Sequence, residues 1–206
     1  MEKEILITGF GGQGIVLTGN ILGMAATLYD DKHATMTQSY GPEARGGSCS
    51  SQVVISEEPI LFPYVEKPQT MICMSQAGFQ KNCDMLIDGG IMIWDTDLVK
   101  PDKVNEKWNS YNIPATRFAE ELGNKMMANI VMLGFLSAVS ELVEPDSLKQ
   151  AVLKTVPPKT RDKNSLAFDR GREYGGEILK GRSSKTPWMR TKRQKPCCWS
   201  ARATVP

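Results

Sequence analysis

Two glycine-rich stretches hold the residues whose types and spacing best suit ligand chemistry. The first is Gly9-Phe10-Gly11-Gly12-Gln13-Gly14, which has the G-x-G-x-x-G spacing. Glycines in this pattern let the backbone turn tightly, so that free N–H groups at the start of a following helix can approach a phosphate. Gly9, Gly11, Gly12, Gln13 and Gly14 are therefore candidate cofactor-binding residues. The plainer alternative is a strand-to-helix turn that packs without a ligand. The second stretch, Gln38-Ser39-Tyr40-Gly41-Pro42-Glu43-Ala44-Arg45-Gly46-Gly47, sets an aromatic, an acid and an arginine in a Gly-Pro frame. Tyr40 offers a ring and a hydroxyl. Arg45 offers a planar fork for a phosphate or carboxylate. Gly46 and Gly47 complete the candidate set. The alternative is an Arg45–Glu43 surface pair with Tyr40 packed at an interface.

Other chemistries lack their residues. A nicotinamide or flavin dinucleotide wants a carboxylate at the end of the second strand to hold a ribose, and that stretch reads Thr37-Gln38-Ser39-Tyr40. No Gly-Lys-Ser or Gly-Lys-Thr follows the first loop, which excludes a P-loop. Histidine occurs once, at His33, and no G-x-S-x-G elbow is present, so a Ser-His-Asp triad is not expected. Cys49, Cys73, Cys83, Cys197 and Cys198 include no C-x-x-C pair of the kind that zinc or iron–sulfur sites use. This chain is expected to carry no catalytic residue and no metal ligand of its own.

The elements that position the two loops follow from hydrophobic periodicity. Residues 4–9 read as a first strand and 12–29 as a helix. Ala34 to Thr37 reads as a second strand, 38–47 as a loop, and 49–56 as a strand wet on one face. Residues 71–74 form a buried strand, 77–86 a helix closed at Asp88-Gly89-Gly90, and 91–94 another strand. Beyond Pro114 the pattern becomes helical, over 115–122 with Gly123 as its cap, then 125–142, then from Pro145 to Pro157-Pro158, and finally 164–179. Strands alternating with helices predict an α/β fold, a Rossmann-like open sheet, mostly parallel or mixed, flanked by helices and with a helical C-terminal part. The second loop follows a strand just as the first does, so both are expected at the carboxyl edge of the sheet.

The chain has 206 residues, 41% apolar and 23% charged, enough for one self-sufficient core. Its longest apolar stretch, Met126 to Val139, falls short of the ~20 residues that a bilayer requires. Glu2, Lys3 and Glu4 lead straight into Ile5-Leu6-Ile7 with no apolar signal segment. No membrane association and a cytoplasmic location are expected. The net charge of +2 conceals an asymmetry, because the segment after residue 180 carries seven basic residues and no acid. Lacking stacking aromatics in register and any nucleic-acid module, it reads as a disordered basic tail over 181–206, appended to a domain at 1–180; no nucleic-acid partner is expected.

The two loops in this order and spacing, followed by Val53-Val54-Ile55-Ser56, resemble the gamma subunit of the 2-oxoacid:ferredoxin oxidoreductases. The 2-oxoglutarate branch is the most similar. The likeness continues through Met74-Ser75-Gln76, Gly89-Gly90, Asp95-Thr96-Asp97 and the apolar helix around Asn129, and covers about residues 4–180. It implies a multisubunit enzyme that converts a 2-oxoacid and CoA to acyl-CoA and carbon dioxide with reduction of ferredoxin. Thiamine diphosphate, magnesium and iron–sulfur clusters are then held by alpha, beta and ferredoxin-like delta subunits. This chain would complete the assembly and border the CoA entry. Two other readings stand beside it, a stand-alone dinucleotide-binding oxidoreductase and a nucleotide-binding regulatory module.

Overall fold

A computed structural model describes residues 2–41 and 47–184. Arg45 and Gly46 of the second loop, and the tail from residue 185, lie outside the described residues. The chain runs β1 (Lys3–Phe10), α1 (Ile15–Tyr29), β2 (His33–Tyr40), β3 (Ser48–Ser56), β4 (Thr70–Cys73), α2 (Gln76–Asn82), β5 (Ile91–Asp95), β6 (Asn109–Ile113), α3 (Ala115–Glu121), α4 (Ala128–Val139), α5 (Pro145–Thr155) and α6 (Arg161–Ser184). The six strands form one sheet in the order β2-β3-β1-β4-β5-β6.

The sheet is mixed. β1, β4, β5 and β6 run parallel, while β3 is antiparallel to both of its neighbours. The antiparallel pair follows from chain length: parallel neighbours need a crossover of a dozen or more residues, and only residues 41–47 separate β2 from β3. Alternation along the strands divides the apolar residues between two faces. Ile5, Ile7, Val53, Ile55, Ile72 and Ile93 face the larger core under α1 and α4 to α6. Leu6, Val54, Met71, Cys73, Met92 and Trp94 face a smaller one that includes Phe79 of α2.

The structure departs from the sequence expectation in several places, among them the helices expected over 77–86 and 125–142, which are found as α2 and α4 with short 3-10 turns at Cys83–Met85 and Lys125–Met127. Gln38, Ser39 and Tyr40 are strand rather than loop, because they complete the ladder with Ser51, Ser50 and Cys49 of β3. Strand β6 was not expected from its polar Asn-Ser-Tyr-Asn-Ile sequence; it forms at a sheet edge, where Asn109 N donates to Gly90 O at 2.8 Å and Asn109 Nδ2 to Gly89 O at 2.7 Å. Helix α1 begins three residues later than expected, since Gly14 is its left-handed cap. Helix α6 spans Arg161–Ser184 rather than 164–179. It packs so closely on α4 that a Cβ on Gly134 would strike the Phe168 carbonyl, and one on Gly171 the Val131 carbonyl. Gly123, at φ +87°, ends α3 as expected. Among the described residues no helix is long and apolar enough to cross a membrane.

Asp95, fully buried at the end of β5, joins the sheet to α3. Its Oδ2 accepts from Thr116 N at 2.8 Å and Thr116 Oγ1 at 2.7 Å, and Oδ1 accepts from Asp97 N at 2.9 Å. Burial pushes its pKa up, against the pull of these donors. Asp95→Ala leaves three donors without their acceptor and should cost about 3 kcal/mol. Thermal melts should show a loss of roughly 6–12 °C for a chain of this size. An unchanged melting temperature would show that Asp95 does not hold this junction.

Candidate functional site

The first glycine loop and Gly41 and Gly47, the described ends of the second, lie at the carboxyl edge of the sheet, where they meet. β2 runs in the same sense as β1 with β3 between them, so Phe10 stands opposite Ser48 and Tyr40 opposite Cys49. Gly11 N donates to Gly47 O at 2.9 Å, and Gly41 N to Ser48 O at 2.7 Å.

The residues of the first loop have different tasks. Gln13 clamps the loop: its Oε1 accepts from Phe10 N at 2.6 Å, and its Nε2 donates to Met74 O at 2.8 Å, tying β1 to the end of β4. Gly9 leaves room for that side chain, which a Cβ would strike at 2.5 Å. Gly14 has φ +74°, and its carbonyl accepts from Thr18 N and Thr18 Oγ1, both at 2.8 Å, and from buried Asn129 Nδ2 at 3.4 Å. Gly12, at φ +96°, faces open space. Phe10, Gly11 and Gly12 are thus the exposed part of the loop, at the N-terminal end of α1, where the helix dipole favours negative charge. No side chain caps that end.

Next to this contact a cleft is lined by Thr8, Ser39, Tyr40, Gly41, Ser48, Cys49, Ser50, Lys81 and Asn82. Its volume among the described residues is about 90 Å³, well below the ~300–1,000 Å³ typical of pockets that enclose a small molecule. It is too small to enclose a small molecule by itself. Tyr40 is 62% exposed at its mouth. Lys81, in the last turn of α2, supplies positive charge and has no carboxylate partner among the described residues. Hydroxyls of Ser39, Ser48 and Ser50 can supply hydrogen bonds, whereas that of buried Thr8 is engaged with Ile72 O and Cys73 Sγ. Burial pushes the Cys49 thiol up and the Cys73 thiol up to about 12, so neither is a thiolate nucleophile. Among the described residues no three His, Cys, Asp or Glu side chains gather as metal ligands. The arrangement can bind an anionic or polar group and, among the described residues, contains no acid–base pair.

Of the residues named from sequence, Gly9, Gly11, Gly12, Gln13, Gly14, Tyr40 and Gly47 come together at this edge. Lys81 and Asn82 escaped sequence reading because α2 reaches the cleft only through the β1–β4 pairing. A helix following a strand that ends at the same edge was the available signal. β3 also separates β2 from β1, so the end of β2 is not beside the first loop as a ribose-binding strand would be.

The pyruvate ferredoxin/flavodoxin oxidoreductase family matches residues 4–174. The 2-oxoglutarate synthase subunit KorC of Methanocaldococcus jannaschii is 51% identical over 180 residues, which are 86% of this chain and 96% of that protein. The ketoisovalerate oxidoreductase subunit VorA of Methanothermobacter thermautotrophicus is 31% identical over 87% of this chain but only 38% of its own length. Among solved structures, the gamma subunit of a keto/oxoacid ferredoxin oxidoreductase from Geobacter sulfurreducens superposes with a TM-score of 0.74. It is 33% identical over 84% of this chain and 98% of that one.

If Gln13 is a clamp, Gln13→Ala should lower stability by about 2 kcal/mol, because Phe10 N–H and the Met74 carbonyl lose their partner. Melting should fall by roughly 4–8 °C. A variant that melts like the wild type would leave the Gln13 amide available for a ligand instead.

Proposed function

The chain belongs to the pyruvate ferredoxin/flavodoxin oxidoreductase family, and on that premise we propose that it is the gamma subunit of a 2-oxoglutarate:ferredoxin oxidoreductase. The carrying observation is the 51% identity to a 2-oxoglutarate synthase subunit across nearly all of that protein. In this reading the assembled cytoplasmic enzyme converts 2-oxoglutarate and CoA to succinyl-CoA and carbon dioxide and passes the electrons to ferredoxin. Thiamine diphosphate supplies the carbanion chemistry. In this reading it is held, with magnesium and the iron–sulfur clusters, by alpha, beta and delta subunits.

This chain's own contribution is a wall of the CoA entry. Lys81 and the N–H of Gly12, at the positive end of α1, attract phosphate, Gly11 N being bonded to Gly47 O. Tyr40 gives a ring and a hydroxyl at the cleft mouth, and the serine hydroxyls orient the bound group. Arg45 and Gly46, between Gly41 and Gly47 in sequence, belong to the same proposed site. The stand-alone dinucleotide reading is weaker, because the cleft is small, β2 ends without a carboxylate, and β3 intervenes.

The purified chain should not oxidise 2-oxoglutarate with a redox dye, whereas the enzyme assembled with its other subunits should, and should prefer 2-oxoglutarate to 2-oxoisovalerate. In that assembly, Lys81→Ala should lower kcat/KM for CoA by roughly 10- to 100-fold at unchanged thermal stability, the loss of a charge-assisted contact at ~1.4 kcal/mol per decade. Turnover by the chain alone would overturn the subunit reading. Unchanged constants for CoA would remove Lys81 from the site.

A further inference from the structure

Between Ser56 and Thr70 the chain forms a strap without helix or strand, yet it is firmly anchored. Val65 is buried in the smaller core, and its N donates to Gln52 Oε1 at 3.2 Å. The same oxygen accepts from Thr37 Oγ1 at 3.3 Å, which ties the strap to β2 and β3. Glu66 N and Lys67 N both donate to Glu4 Oε2 at 2.7 Å. From this fixed base project Leu61, Phe62 and Tyr64, exposed by 93%, 51% and 56%. The Phe62 and Tyr64 rings already meet edge to face, 5.4 Å between centroids. Pro59 and Pro63 restrict the backbone, so ordering the strap on a partner loses little entropy. Three large apolar side chains within four residues, exposed on a rigid support and flanked by exposed Glu57, Glu58 and Glu66, have the make-up of an interface anchor with a charged rim.

A comparison of relatives indicates the occupant. In the ketoisovalerate oxidoreductase subunit VorA, this domain is 38% of a longer polypeptide, so the covalent link keeps the two parts together at high effective concentration. In the Methanocaldococcus jannaschii relative, the domain makes up nearly the whole protein. Without the link, a surface must supply the association. We infer that Leu61, Phe62 and Tyr64 dock this chain onto the subunit equivalent to the remainder of VorA, in an apolar groove. The inference rests on the subunit assignment above.

The test is co-expression of the full chain, wild type and Leu61→Ser/Phe62→Ser, with the subunits encoded beside it, followed by gel filtration and titration of the isolated chain into the remaining complex. The double variant should melt within about 4 °C of the wild type, as surface changes do. Its affinity for the complex should fall at least roughly 30-fold, the loss expected of interface anchors. Covalent surface labelling supplies a second readout on the wild type: Leu61, Phe62 and Tyr64 should be labelled in the free chain and protected in the complex. Equal incorporation of the double variant, or labelling that persists in the complex, would overturn this surface while leaving the subunit assignment intact. A wild-type chain that joins no complex at all would overturn both. Loss of a dimer of this chain in the variant, with heteromeric assembly unaffected, would make the patch a self-interface and overturn the proposal.

Discussion

The arrangement depends on one connection that is too short to cross the sheet. Residues 41–47 cannot carry the chain from β2 to a parallel neighbour, so β3 must turn back and run antiparallel. In doing so it takes the place beside β1, and its first residue faces Phe10. The Gly11–Gly47 hydrogen bond is the direct result. Two segments more than thirty residues apart in sequence become one surface at the carboxyl edge. A longer connection would have allowed β2 to pair with β1 and the loops to part, with a crossover helix between them.

Burial elsewhere serves to hold that edge still. Asn129, at the start of the almost wholly buried α4, donates to the Gly14 carbonyl, so the cap of α1 is fixed from the larger core. Gln13 fixes the same loop to β4. α4 is in turn fixed by its glycine-to-carbonyl crossing with α6. The long C-terminal helix therefore acts on the site through packing, by way of α4. The opposite face is thinner, closed by α2 and by the strap that Val65 anchors.

Much of this was legible in the sequence, and the failures have physical causes. The Gly9–Gly14 loop, the buried strands and the Gly123 cap follow from local backbone requirements and alternation, which depend on near neighbours. β6 and the end of β2 are polar, and their strand conformation comes from ladder partners distant in the chain, which no local pattern reports. The same limit hid Lys81: a lysine in the last turn of a short helix reads as an ordinary solvated charge until β4 pairs with β1 and swings α2 to the loop edge. Gln13 shows the converse. Its place in a glycine motif marked it as a ligand contact, while its amide is bonded to Phe10 and Met74. The backbone of Gly12 is the part of that motif left facing outward, Gly11 N being bonded to Gly47 O.

If the Gly9–Gly14 loop, the Gly41 and Gly47 ends of the second loop and the Lys81 cleft form the CoA-facing wall of the assembled enzyme, bound CoA must shield them. Hydrogen exchange of the assembled complex with and without CoA tests this directly, because it reads backbone protection segment by segment. The account predicts slower exchange on adding CoA in residues 9–14, 39–41, 47–50 and 79–82, with the α5 and α6 segments unchanged. Protection confined to the other subunits, with these four segments exchanging as before, would contradict it.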